Sequence, residues 1–116
     1  MAATRVVNIK LEPCNVYCGR AGHGERGTFG NPYIANPKYP RGATVNKLFR
    51  AHFEFKVRED KSFKAELDKL VELKRAQNGK LSLGCFCAGV DGLFAGNPPY
   101  ICHVQVIAEY IDKRCP

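Results

Sequence analysis

The chain has 116 residues, 45% hydrophobic and 25% charged, the size and balance of one domain that buries roughly two-thirds of its unfolded surface without disulfides or a structural metal. No apolar run approaches the roughly 20 residues of a membrane helix, and Met1-Ala2-Ala3-Thr4-Arg5 leads into a strand-like segment, not an apolar signal stretch. The expectation is one cytoplasmic domain, 1–116, with no membrane partner. The net charge of +7 lies in the first half, because residues 1–58 carry ten basic and three acidic side chains while 59–116 carry eight of each. Such asymmetry points to an anionic partner, a nucleotide or nucleic acid; a merely soluble basic surface is the bland alternative.

In chain order, Arg5-Val-Val-Asn-Ile-Lys-Leu11 is β-branched and partly alternating, which predicts a first strand ending near Glu12-Pro13. Residues 15–18 read as a second short extended piece. Residues 19–42 are rich in Gly, Pro, Asn and basic side chains and read as a long loop, whose Phe29, Tyr33 and Tyr39 argue that it packs onto something. Val45, Leu48, Phe49, His52 and Phe53 recur at helical spacing behind Thr44 as N-cap. A second helix buries Phe63, Leu67, Leu70 and Val71, starts at Ser62 or Asp60, and stops at Asn78-Gly79. Residues 80–87 alternate like a strand, with Leu81, Leu83, Cys85 and Cys87 on one face. Residues 88–100 form a Gly/Pro loop, and Val104, Ile107, Ala108 and Ile111 mark a last helix from about Cys102-His103. The order predicts a small α/β domain: a short central sheet, about three helices and two long Gly/Pro-rich loops leaving carboxyl ends of strands, where ligands of open α/β sheets lie.

Six cysteines (Cys14, Cys18, Cys85, Cys87, Cys102, Cys115) in a chain without an export signal read as reduced thiols. Cys85-x-Cys87 followed by Cys102-His103 offers three sulfurs and a nitrogen, a tetrahedral set for zinc, or for iron. The C-x-C spacing is tighter than the usual C-x-x-C, and adjacent Cys and His ligands are awkward on one helical turn. The same residues support a catalytic alternative: Cys102 at a helix start is a candidate nucleophile, with His103, His23 or His52 as base. Thiols that simply pack as small hydrophobes are the third reading.

In the basic loop, glycines such as Gly30 let backbone N–H groups approach a phosphate, and Arg20, Arg26, Lys38 and Arg41 can neutralise it. No named nucleotide motif is present, and a solvated turn-rich loop is the alternative. Cys14 and Cys18 read as structural, Cys115 as an exposed incidental thiol and His52 as a core histidine. Tyr17, Phe29, Tyr33 and Tyr100 could stack on a base, but core packing is the commoner use of such rings.

Val6-Val7-Asn8-Ile9, Val16-Tyr17-Cys18-Gly19-Arg20, Phe29-Gly30-Asn31-Pro32-Tyr33, Leu83-Gly84-Cys85-Phe86-Cys87 and Cys102-His103 stand in an order that resembles a small domain family of unknown function common in phages and bacteria. Its members read V-V-N, Y-x-G-R, W-G-N-P-F, L-G-C-W-C and C-H-G. This chain has Phe at 29 and 86, Val at 104, and a longer 88–101 connection. The resemblance spans residues 5–113 and implies a bacterial or phage-infected cytoplasm. It adds Asn8, Arg20, Gly30, Asn31, Pro32, Cys85, Cys87, Cys102 and His103 as site candidates, and it implies no reaction. The combined expectation is nucleotide or nucleic-acid binding through Asn8, Arg20, Arg26, Gly30, Asn31 and Arg41, beside a Cys/His reactive or metal centre for nucleotide processing or base modification. The rival is a non-enzymatic module, held by a structural zinc, that binds nucleic acid or protein.

Overall fold

The computed structural model describes residues 4–10, 13–18, 29, 44–85, 94–95 and 103–115, and of residues 44–46, 85 and 94–95 the backbone. Strand β1 is Arg5–Asn8, shorter than the alternation predicted. The Asn8 Oδ1 accepts the Lys10 backbone N–H at 2.9 Å, so the strand ends where its own last side chain turns the chain. Strand β2 is Val16–Tyr17 and β3 is Ser82–Cys85. β1 and β2 both pair with β3 in parallel, in the order β2-β3-β1. β4, Phe94–Ala95, lies inside the stretch read as loop and pairs antiparallel with β1; two residues are too few to show an alternation.

Among the described residues three α-helices accompany the sheet: α1 at Arg50–Glu59, α2 at Lys61–Ala76 and α3 at His103–Arg114. The Thr44 cap is not the start of α1. A π-helical segment, Thr44–Phe49, runs directly into it, and Phe49 sits at the N-cap position in helical conformation with no side-chain cap. The preceding turns continue the hydrogen-bond ladder and take over what a capping side chain would do. Helix α2 follows its sequence signals closely. Asp60 caps it by accepting the Phe63 N–H at 3.0 Å. At the other end Asn78, with φ 57°, allows Gly79 N–H to reach Lys74 O at 2.8 Å and Asn78 N–H to reach Arg75 O at 3.1 Å, a Schellman stop.

Val6 and Leu83, side by side in the register, face the core with the apolar side of α3. Val7 points to the other face and is also fully buried. Helix α3 is central: besides the predicted Val104, Ile107, Ala108 and Ile111, it buries His103, Gln105, Val106 and Tyr110. It starts at the carboxyl ends of the parallel strands, where His103 bonds to Cys18. It finishes at their amino ends, where Asp112 bonds to Thr4. Full burial of side chains such as Leu67, Leu83, Ile107 and Ile111 contributes about 1.5–3 kcal/mol each.

An aromatic run crosses this core. Ring centroids are 5.8 Å apart from Phe29 to Phe63, 5.8 Å from Phe63 to Phe53, 5.9 Å from Phe53 to Phe49 and 5.1 Å from Phe49 to His103. Phe29 is thus a core ring and not a base-stacking one. It fixes one point of the basic 19–42 segment to the helix that packs on the rest of the core.

Candidate functional site at the carboxyl edge of the sheet

Because three strands run parallel, their carboxyl ends share one edge. Asn8 closes β1 and Cys85 closes β3, and the two are register partners. Cys18 follows β2 directly. Its N–H donates to Gly84 O at 2.8 Å, continuing the parallel ladder one step beyond Tyr17↔Gly84. Its carbonyl accepts from His103 Nε2 at 2.8 Å. One residue of backbone therefore bridges the end of β3 to the start of α3.

That bond also sets the imidazole's chemistry. A carbonyl only accepts, so Nε2 is the nitrogen that carries a proton and donates it. Metal-ligating histidines are commonly oriented in this way, with the non-ligating nitrogen donating to a backbone carbonyl. His103 is 5% exposed and lies edge-on to Phe49. It is the first residue of α3, whose first turn holds no acidic side chain. The helix dipole there favours thiolate or another anion.

The structure thus gathers three of the sequence candidates, Asn8, Cys85 and His103, at one edge. Asn8 already orients the chain through its Oδ1. Arg20, Arg26, Gly30, Asn31, Pro32, Lys38, Arg41, Cys87 and Cys102 lie outside the described residues, as do His23, Tyr33, Tyr39 and Tyr100. His52 is half-buried, with its ring 6.2 Å from that of Phe49. Burial, and secondly Lys56, hold its pKa below the usual histidine value. Phe49 therefore separates one imidazole from the other.

Two readings of the remaining cysteines need correction or extension. Cys115 is buried, not exposed: it follows the last turn of α3, donates its N–H to Ile111 O at 2.9 Å, and its carbonyl accepts from Lys74 Nζ at 2.5 Å. Cys18, read as structural, is fully buried and packs in the core, yet it stands at the candidate edge. Its place beside Cys85 depends on the pairing of β2 with β3, which sequence spacing does not encode; the signal that could have found it is its position within Tyr17-Cys18-Gly19-Arg20. Cys14, Cys18 and Cys115 are not part of a disulfide. Cys14 packs on the opposite face of β3, where its Sγ and Ile9 Cγ2 occupy the space a Cβ on Gly84 would need.

These features define a small α/β domain with a mixed four-stranded sheet and a sulfur- and imidazole-bearing carboxyl edge. The chain belongs to the family described as Domain of unknown function (DUF4326), whose model matches residues 3–113. No curated protein and no solved structure matches it. Among the described residues no helix is long and apolar enough to cross a membrane, and no group of three or more His, Cys, Asp or Glu side chains is arranged to hold a metal.

Proposed function

We propose that this domain binds a nucleotide or nucleic acid through Arg20, Arg26, Gly30, Asn31 and Arg41, with Asn8 beside the site. Cys85, Cys87, Cys102 and His103 form an adjoining metal or thiol centre for nucleotide processing or base modification. The observation that carries this reading is the Cys18 bridge, which brings Cys85 and His103, remote in sequence, to one edge. The covalent chain tethers the other candidates to it: Arg20 follows Cys18 by two residues, Cys87 follows Cys85 by two, and Cys102 adjoins His103, each step spanning about 3.8 Å between Cα atoms. A zinc ion there would polarise a substrate oxygen or activate a water. In the thiol version Cys102 supplies the nucleophile, its thiolate favoured by the start of α3.

The burial of His103 favours a second reading, a structural zinc in a non-enzymatic nucleic-acid or protein-binding module, because structural sites are closed and catalytic ones keep an open position. Titration with a mononucleotide and with single-stranded DNA, over a range of salt, separates the two. On the first reading wild-type protein binds the mononucleotide, Arg20→Ala weakens binding about tenfold, as loss of a charge-assisted contact does, and Cys102→Ser keeps binding while losing turnover. Binding to DNA alone, collapsing steeply with salt, supports the module. Absence of binding to either ligand overturns the nucleotide and nucleic-acid assignment.

A further inference from the structure

We infer that Phe55 on the outer face of α1, with Arg58 three residues on, is a stacking platform for the bases of a single-stranded nucleic acid. The inference rests on the nucleic-acid form of the function proposed above and adds to it a contact surface that the carboxyl edge does not include.

Phe53 and Phe55 stand about 160° apart around α1, as residues two apart on a helix do. Phe53 is in the core, with its ring against those of Phe49, Phe63 and Tyr110. Phe55 is turned outward and is 55% exposed, and among the described residues no other large hydrophobic side chain is left exposed. It falls off the apolar stripe of Leu48, Phe49, His52 and Phe53, so the spacing that marks core residues passes it over. Packing does not ask for a ring at this position. Helix propensity does not either, because Ala, Leu, Glu, Lys or Arg form helix better on a solvent face.

The fold keeps this ring beside a cation. The guanidinium carbon of Arg58 lies 5.7 Å from the Phe55 ring centroid, and the side chain is largely exposed. Its Nε donates to Glu59 Oε1 at 3.2 Å. Among the described residues its two Nη groups have no hydrogen-bond partner. The ring and the carboxylate thus hold the guanidinium from one side, and its forked end is presented outward in the geometry that bonds phosphate at two points. An aromatic face for a base, next to a fork for the phosphate, is the combination that holds single strands irrespective of sequence. Over α1 the cations Arg50, Lys56 and Arg58 outnumber the carboxylates Glu54 and Glu59. Lys61, exposed at the first position of α2, adds a cation three residues beyond Arg58, and the net charge of +7 supplies the longer-range attraction.

The chain holds no tryptophan, so Phe55→Trp places a single indole at the platform and makes its fluorescence a report of base stacking. The probes are a single-stranded oligothymidylate and, as a polyanion without bases, inorganic polyphosphate. The oligothymidylate is expected to quench the Phe55→Trp indole, and polyphosphate is not. Phe55→Ala is expected to bind the oligothymidylate about tenfold more weakly, with the salt dependence of wild type and with polyphosphate binding unchanged. Arg58→Ala is expected to lower the salt slope by about one. Wild-type protein that binds the oligothymidylate while the indole is not quenched, or is quenched equally by polyphosphate, or while Phe55→Ala binds it as tightly, overturns the platform and leaves nucleic-acid binding in place. Wild-type protein that does not bind the oligothymidylate overturns the nucleic-acid reading and the platform together.

Discussion

The two edges of the sheet use polar groups in opposite ways. At the amino edge, Asp112 near the end of α3 accepts from Thr4 Oγ1 at 2.6 Å, from the Thr4 N–H at 3.1 Å and from Lys74 Nζ at 2.8 Å. The same Lys74, fully buried, reaches Cys115 O. This network ties α2 to both ends of the described chain, and its groups serve one another. At the carboxyl edge the backbone is tied equally firmly, through Cys18, but the residues that meet there are two cysteines, an asparagine and a histidine, types whose side chains hold metals and transfer protons. Buried charge marks the structural end of this molecule, and soft ligands mark the chemical one.

The sharpest way to break that contrast is at Lys74. Lys74→Ala leaves the Asp112 cluster without its cation and opens a cavity, and removing one member of a buried pair costs about 3–5 kcal/mol. Urea denaturation should show a loss of that order, while zinc content of protein folded at low temperature stays at the wild-type value. A loss of zinc in a folded Lys74→Ala protein would join the two edges into one functional unit.

A smaller effect is expected on the back of the carboxyl edge. Gly84→Ala pushes a Cβ into the Cys14 thiol and Ile9, an overpacking of about 1–3 kcal/mol. The double variant with Cys14→Ala should recover most of that stability in the same denaturation assay. Failure to recover would mean that Ile9, not Cys14, sets the limit.

The mildest tests are titrations of groups away from both edges. The Phe63 N–H holds the Asp60 carboxyl below its ordinary range; burial, the next-largest effect, opposes it, and Lys56 and the Ser62 N–H add to the lowering. Its cap therefore stabilises α2 fully above the unfolded carboxylate value, about 4, and the contribution fades as pH falls through the folded value. Asp60→Asn keeps an acceptor and should flatten the stability profile in that acid range. For His52 the neutral form is favoured on folding, so the unfolded chain binds more protons just below the ordinary histidine value of about 6.5. Stability should fall as pH drops from there through the folded value, and His52→Gln should remove that slope. A slope that persists in the variant would have to come from another group.

How much was legible in the sequence follows the physics of each element. Helix α2 was readable from end to end because its apolar stripe, its Asp60 cap and its Asn78-Gly79 stop are local signals. Helix α3 was readable only on one side: the spacing of Val104, Ile107, Ala108 and Ile111 gives the stripe, but burial of Val106, Gln105 and Tyr110 comes from its central position between sheet and helices. β4 and the π-helical entry to α1 were not readable, the first for shortness and the second because its phase depends on hydrogen bonds five residues apart. At the site, the chemistry of Cys85 and His103 was visible from residue type. Their closeness, and the part of Cys18, depend on which strands pair.

The measurement that bears most directly on the central claim is metal content by mass spectrometry, on protein purified without an affinity-tag metal column, for wild type and for the Cys85→Ser, Cys87→Ser and Cys102→Ser variants. About one zinc or iron per chain, lost in Cys85→Ser and in at least one of the other two, is the expected result and establishes the carboxyl edge as a metal centre. Well-folded wild-type protein without metal contradicts it, and makes the reactivity of the Cys102 thiol against pH the property on which any chemistry at this edge then depends.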